Sequence, residues 1–112
     1  MLPTANRLKQ NADFRRVYSR GSSCAIGPIV VYSLKTDDGV RVGFSVSRKL
    51  GGAVKRNRIR RLLREAVRTI LDNLQSGNDI VIIARRSASE SHLPDFCRAI
   101  DGACRRKGLL DG

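Results

Sequence analysis

The residues of this sequence most able to do chemistry are nine cations between positions 48 and 68. They are Arg48, Lys49, Lys55, Arg56, Arg58, Arg60, Arg61, Arg64 and Arg68, and Glu65 is the one acid among them. Guanidinium groups grip phosphate oxygens through forked N–H pairs and stack on planar rings, so an Arg-rich cluster suits polyanions better than small acidic substrates. At 100° per residue on a helix, Arg58, Arg61, Arg64 and Arg68 fall opposite the apolar stripe, with Arg60 on its flank. A merely solvated face would mix both signs in i, i+4 pairs. Lys55, Arg56 and Arg58 also stand at the helix start, where the macrodipole favours anions and a stability-driven sequence would carry Asp or Glu. Cations beside free helical N–H groups instead make a phosphate site.

The other chemistry-bearing residues form weaker constellations. Phe14, Tyr18 and Tyr32 are three of five aromatic side chains, interleaved with Arg15, Arg16 and Arg20. Rings beside cations are the stacking platforms of single-stranded RNA binders, with Arg15 and Arg16 turned to follow phosphates. The spacing of Phe14, Val17 and Tyr18 equally describes a core-facing helix stripe, and spacing alone favours the core. His92, the only histidine, precedes Leu93-Pro94 and reads as a loop or capping residue. Asp37-Asp38 before Gly39 reads as a solvated turn rather than a metal pair. Cys97 and Cys104, seven apart on one helix, read as core thiols. Gly51-Gly52 lacks the spacing of a Walker or dinucleotide loop. No catalytic residue and no metal ligand is expected on the chain itself.

The elements that hold these residues belong to one domain, 1–112, with residues 1–6 and 109–112 expected to be loosely held. Hydrophobic residues make up 41% and aromatics 4%, with no Trp, so the core is aliphatic. The net charge of +12 comes mostly from one region: +4 over residues 1–47, +8 over 48–68 and zero over 69–112. Arg outnumbers Lys 17 to 5. No apolar run approaches the roughly 20 residues needed to span a bilayer, and three cysteines without metal-ligand spacing suggest reduced thiols in a cytoplasmic protein.

Periodicity predicts a short helix capped by Asn11 and closed at Gly21, an edge strand over 22–26, a strand over 29–34, and another from Val40 whose valines alternate with polar residues. The latter two read as a hairpin across the Asp37-Asp38-Gly39 turn. Ile59, Leu62, Leu63, Ala66, Val67, Ile70, Leu71 and Leu74 extend one long helix toward Gly77. Asp79 to Ala84 is a buried strand that completes a βαβ unit, and a last helix runs from about Pro94 to Gly108.

The stretch Ser47-Arg48-Lys49-Leu50-Gly51-Gly52-Ala53-Val54-Lys55-Arg56-Asn57-Arg58-Ile59-Arg60-Arg61-Leu62-Leu63-Arg64-Glu65 resembles the RNR box of the bacterial ribonuclease P protein family. Arg7-Leu8-Lys9 with Asp13-Phe14, then Val30-Val31-Tyr32, Arg41 to Ser47 and Asp79 to Arg85 agree in order, so the resemblance spans nearly the whole chain. The chain departs from the family pattern at Gly52, where Asn is common, and in Arg85-Arg86-Ser87-Ala88, which replaces a Pro- or Gly-containing loop. It departs also at Ile29, where an aromatic often sits beside Tyr32, so the cleft floor would stack less.

The resemblance implies an α+β sandwich of order αβββαβα with a mixed sheet and a left-handed βαβ crossover, against the usual hand. It implies a non-catalytic subunit that joins a catalytic RNA to remove the 5′ leader of precursor tRNA, with Mg²⁺ held mainly by the RNA, no organic cofactor and no obligate protein partner. Arg48, Lys49, Arg56, Asn57, Arg58, Arg60, Arg61 and Arg64 match the positions that contact the RNA. Phe14, Tyr18 and Tyr32, with Arg86, match those of the leader cleft, which reverses the core preference of spacing alone. Two rivals remain: a structural or ribosome-associated RNA binder without a catalytic assembly, and an autonomous metal nuclease.

Overall fold

β-Branched segments pair where alternation gives them a face to bury, and Arg- and Leu-rich segments coil around the remaining apolar stripes. The computed structural model describes residues 4–37 and 39–111. Its main elements are α1 (Asn11–Arg20), β1 (Ser22–Ile26), β2 (Ile29–Lys35), β3 (Val40–Ser45), α2 (Ala53–Arg68), β4 (Asn78–Ala84) and α3 (Leu93–Arg106), the expected order αβββαβα. Asp38 of the expected turn, and residues 1–3 and 112 of the termini expected to be loose, lie outside the described residues. In the rest of those termini, Asn6 Nδ2 donates to the Val40 carbonyl at 2.8 Å. Leu109 is buried, and the Asp111 N–H donates to the Asn73 carbonyl at 2.7 Å.

The strands form one mixed sheet in the order β1-β2-β4-β3, with β3 and β4 parallel and the other pairs antiparallel. This corrects the expected β2–β3 hairpin. Both segments are strands, but β4 lies between them and pairs with each, and the chain returns to it through α2. The hairpin of the fold is β1–β2, turned by Gly27-Pro28 with Gly27 at φ 52°, a left-handed conformation that glycine adopts without a Cβ clash. Helix boundaries move too. Gln10 is the residue before α1, and Asn11 is its first helical residue rather than its cap. α2 ends at Arg68, and Leu71–Asn73 forms a separate 3₁₀ turn.

Alternation sorts the strand residues onto two faces. Ile29, Val31, Val42, Ile80 and Ile82 meet Ile59, Leu63, Ala66 and Val67 of α2 and Phe96, Ile100, Ala103 and Cys104 of α3. Val81 on the opposite face meets Val17 of α1 and Leu8, with Phe14, Tyr32, Leu34 and Ile83 packed around them. The expected loss of stacking at Ile29 is therefore corrected: three residues from Tyr32, it points into the core beneath α2 and α3 and is no part of the cleft floor. Cys104 is buried in that core, and burial pushes its thiol up to about 11.

Beneath α1 runs an ion-pair network. Arg41 faces Asp79 in the β3–β4 register and donates to both of its carboxylate oxygens, at 2.9 and 2.8 Å. Arg16 of α1 reaches Asp13 at 2.6 Å and the fully buried Asp79 at 3.7 Å, and Arg41 reaches Asp13 at 3.6 Å. A carboxylate out of water needs such partners, and here they come from both the helix and the sheet. The network fixes α1 over β3 and β4.

Candidate nucleic-acid interface

α2 starts after Gly52 with no acidic residue in its first turn, so its free N–H groups and its cations present the same sign. Asn57, Arg61, Arg64 and Arg68 are the exposed stripe, repeating at i+4, i+3, i+4. Arg68 holds Glu65 at 2.9 Å, and that hydrogen bond lowers the Glu65 carboxyl below its usual range, so the one acid is already partnered. Arg58 differs from the sequence reading. It lies about 90° from the centre of the exposed stripe, on the flank toward α3, and donates to the Ser91 carbonyl at 3.2 Å. Arg60 occupies the other flank, donating to Asn57 Oδ1 at 3.2 Å. Arg56 is half-buried and its Nε has no partner. Arg48 and Lys49 are exposed on the 3₁₀ turn Arg48–Leu50 that leads into this helix.

Phe14, Tyr18 and Tyr32 come together across α1 and β2. The Phe14 and Tyr18 ring centroids are 6.5 Å apart, and Tyr18 meets Tyr32 edge-on at 5.2 Å. Phe14 and Tyr32 are half-buried and Tyr18 is 37% exposed, so the core and platform readings both apply: one side of the row packs on the sheet and the other is accessible. Asn11, Phe14, Arg15, Tyr18, Phe44 and Ser45 line an open hollow of about 540 Å³ beside it. Arg15 is exposed at its rim, whereas Arg16 does not follow it. The pairing with Asp13 and Asp79 commits Arg16 to holding α1.

A second hollow, of about 360 Å³, joins the two surfaces. Arg60 and Arg64 of α2 line it with Arg7 and Lys9 of the N-terminal segment, and Phe14 and Phe44 are shared with the first hollow. Sequence reasoning missed Phe44, Arg7 and Lys9 as site residues. Alternation assigns Phe44 to the core, and it does pack there, but it stands half-buried at the edge of the sheet. Arg86 is not brought to the aromatic row; it lines a separate hollow with Gly27, Arg85, Ser87, Ser89 and Glu90. His92 precedes α3, where Asp95 Oδ2 accepts its backbone N–H at 2.8 Å. No helix is long and apolar enough to cross a membrane, and no three potential metal ligands cluster, among the described residues.

Comparison with known proteins shows the family to which this fold belongs. The family model described as Ribonuclease P matches residues 2–108. The Ribonuclease P protein component of Clostridioides difficile is 45% identical over 104 residues, 91% of each chain. That of Bacillus cereus is 37% identical over 106 residues, covering 93% of this chain and 92% of the relative. The RNase P protein of Staphylococcus aureus superposes with a TM-score of 0.87 at 34% identity, over 96% of this chain and all of that one. The Thermotoga maritima protein superposes at 0.78 and 31% identity, over 86% of this chain and 92% of its own.

Proposed function

Because the chain belongs to the ribonuclease P protein family, and so is the non-catalytic protein subunit of an RNA-based endoribonuclease, we propose that two contiguous surfaces divide its work on precursor tRNA. The exposed stripe Asn57, Arg61 and Arg64, with Arg48, Lys49, Arg56, Arg58 and Arg60 around it, docks the catalytic RNA. Phe14, Tyr18 and Tyr32 take the bases of the single-stranded 5′ leader, and Arg15 meets its phosphates. Arg86, in its separate hollow, would meet the leader only beyond the stacked bases.

The observation that carries this reading is the junction between the surfaces: Phe14 lines one hollow with Tyr18 and another with Arg60 and Arg64. A protein joined to the catalytic RNA on one side and to the leader on the other holds two polyanions together. Its cations offset their repulsion, and its rings orient the leader relative to the cleavage point. Magnesium supplies water activation and stabilisation of the leaving oxygen in phosphodiester cleavage. We assign it mainly to the RNA partner. This chain's own groups bind and orient, in a cytoplasmic setting, as one RNA-binding domain with no obligate protein partner and no organic cofactor.

The test of the docking face is the salt dependence of catalytic-RNA binding. Replacing Arg61 and Arg64 by Gln should flatten the slope of log K against log salt by about 0.7–0.9 for each phosphate left without its cation. An unchanged slope in a folded variant would put the RNA on another surface. A structural or ribosome-associated RNA binder, the alternative reading, has no reason to prefer tRNA that still carries its leader.

A further inference from the structure

The hollow between the N-terminal segment and α2 is built differently from the rest of the basic surface. The half-buried rings of Phe14 and Phe44 line it, with Arg7 and Lys9 of the N-terminal segment and Arg60 and Arg64 of α2. No acidic side chain lines it among the described residues.

The wall formed by residues 7–9 is fixed in place. β3 is an edge strand, and the N-terminal segment runs along it: Arg7 bridges Val42 in parallel, and the Leu8 N–H donates to the Val42 carbonyl at 3.0 Å. Leu8 is buried against Val17 and Val81. Alternation then sends the side chains on either side of Leu8 away from the core, and Lys9 is exposed. Half-buried rings among cations from two segments fit a nucleotide whose base or ribose lies against a ring while its phosphate is held by the cations. The hollow continues the aromatic row through Phe14.

From this geometry we infer that the hollow is a phosphate clamp for the leader nucleotide next to those on the aromatic row, with Lys9 and Arg60 its two jaws. The inference rests on the leader-binding reading of Phe14 and Tyr18 and lengthens that site toward α2. Arg60, on the flank of the docking stripe, thereby meets the leader as well as the catalytic RNA, while Arg61 and Arg64 keep the exposed stripe.

The test uses reconstituted holoenzyme and precursor tRNAs in which single leader phosphates are replaced by neutral methylphosphonate. Wild-type protein should lose about threefold or more in affinity at one or two adjacent positions, the scale of one phosphate contact. Lys9→Gln should bind the unmodified precursor more weakly and show a smaller further loss at those positions, because Arg60 remains. Mature tRNA and precursors truncated short of the hollow should not distinguish the two proteins. Equal loss by Lys9→Gln on mature tRNA would overturn the clamp in favour of a catalytic-RNA contact, as would full sensitivity of Lys9→Gln to every methylphosphonate. Phe14→Leu in the same assay separates the two levels. If it weakens precursor binding and Lys9→Gln does not, the clamp alone fails; if neither does, the leader-binding reading fails with it.

Discussion

Gly43→Ala should damage leader binding by displacing the Phe14 ring while leaving that ring in the protein. A Cβ at position 43 would lie 2.5 Å from Phe14 Cζ, 2.7 Å from Cε1 and 3.1 Å from Leu8 Cβ. Carbon atoms pack at roughly 3.5–4.0 Å, so the Phe14 ring must withdraw by about 1 Å. α1 cannot easily move with it, because Val17 is fully buried and Asp13 and Arg16 are tied to Arg41 and Asp79. The ring itself must swing, which disturbs its 6.5 Å relation to Tyr18. Overpacking of this kind costs about 1–3 kcal/mol of stability, and a misplaced stacking ring forfeits part of the roughly 1–3 kcal/mol that a stacked base contributes. The expected outcome is a loss of about 1 kcal/mol, or roughly fivefold, in holoenzyme affinity for precursor tRNA, with mature tRNA nearly unaffected. Melting curves on the same preparation supply the control. A lowered melting temperature with an unchanged precursor-to-mature ratio would return Phe14 to a purely structural role.

Further expectations follow from the same geometry. His92→Ala should leave turnover of the reconstituted enzyme within a few-fold; a loss of roughly a hundredfold, the scale of a general base, would move chemistry onto the protein. Asp79→Ala leaves the partly exposed Arg41 and Arg16 without their buried acceptor and should cost about 1–3 kcal/mol by urea denaturation, and a loss under about 1 kcal/mol would show that the network does not hold α1. Cys104, raised from 9.0 to about 11 by burial, contributes stability that is complete below pH 9 and is lost as pH rises toward about 11. Removing that thiol in Cys104→Ala should flatten the fall in stability over this window, and an identical fall in both proteins would contradict the assignment.

Much of the fold is readable from pattern because each element satisfies a local rule. The apolar stripe of α2, the alternation of β3 and the β-branched run of β4 report burial directly, and the RNR box gives the cations their context. The missing parts depend on where elements sit relative to one another. Alternation makes β2 and β3 strands, but nothing in either segment records that β4 enters between them. The end of α2 is hidden because the 3₁₀ turn at Leu71–Asn73 nearly preserves the helical period, so Ile70, Leu71 and Leu74 continue the stripe after the helix has stopped. The helical wheel sets Arg58 among the exposed cations, yet only the approach of Ser91 before α3 decides its partner. Lys9 reads as one more surface charge in the sequence, because only the fold shows Leu8 anchoring its segment to the β3 edge.

Whether this chain binds and orients while its RNA partner cleaves is tested most directly by reconstitution. Precursor tRNA is incubated with Mg²⁺ and the purified protein, the catalytic RNA, or both, and precursor and mature tRNA affinities are measured for RNA alone and for the complex. The expected result is no 5′ cleavage by protein alone, cleavage when the RNA is present, and a precursor-to-mature affinity ratio that rises when the protein joins. Cleavage by the protein alone, or a ratio the protein leaves unchanged, would contradict that division of labour.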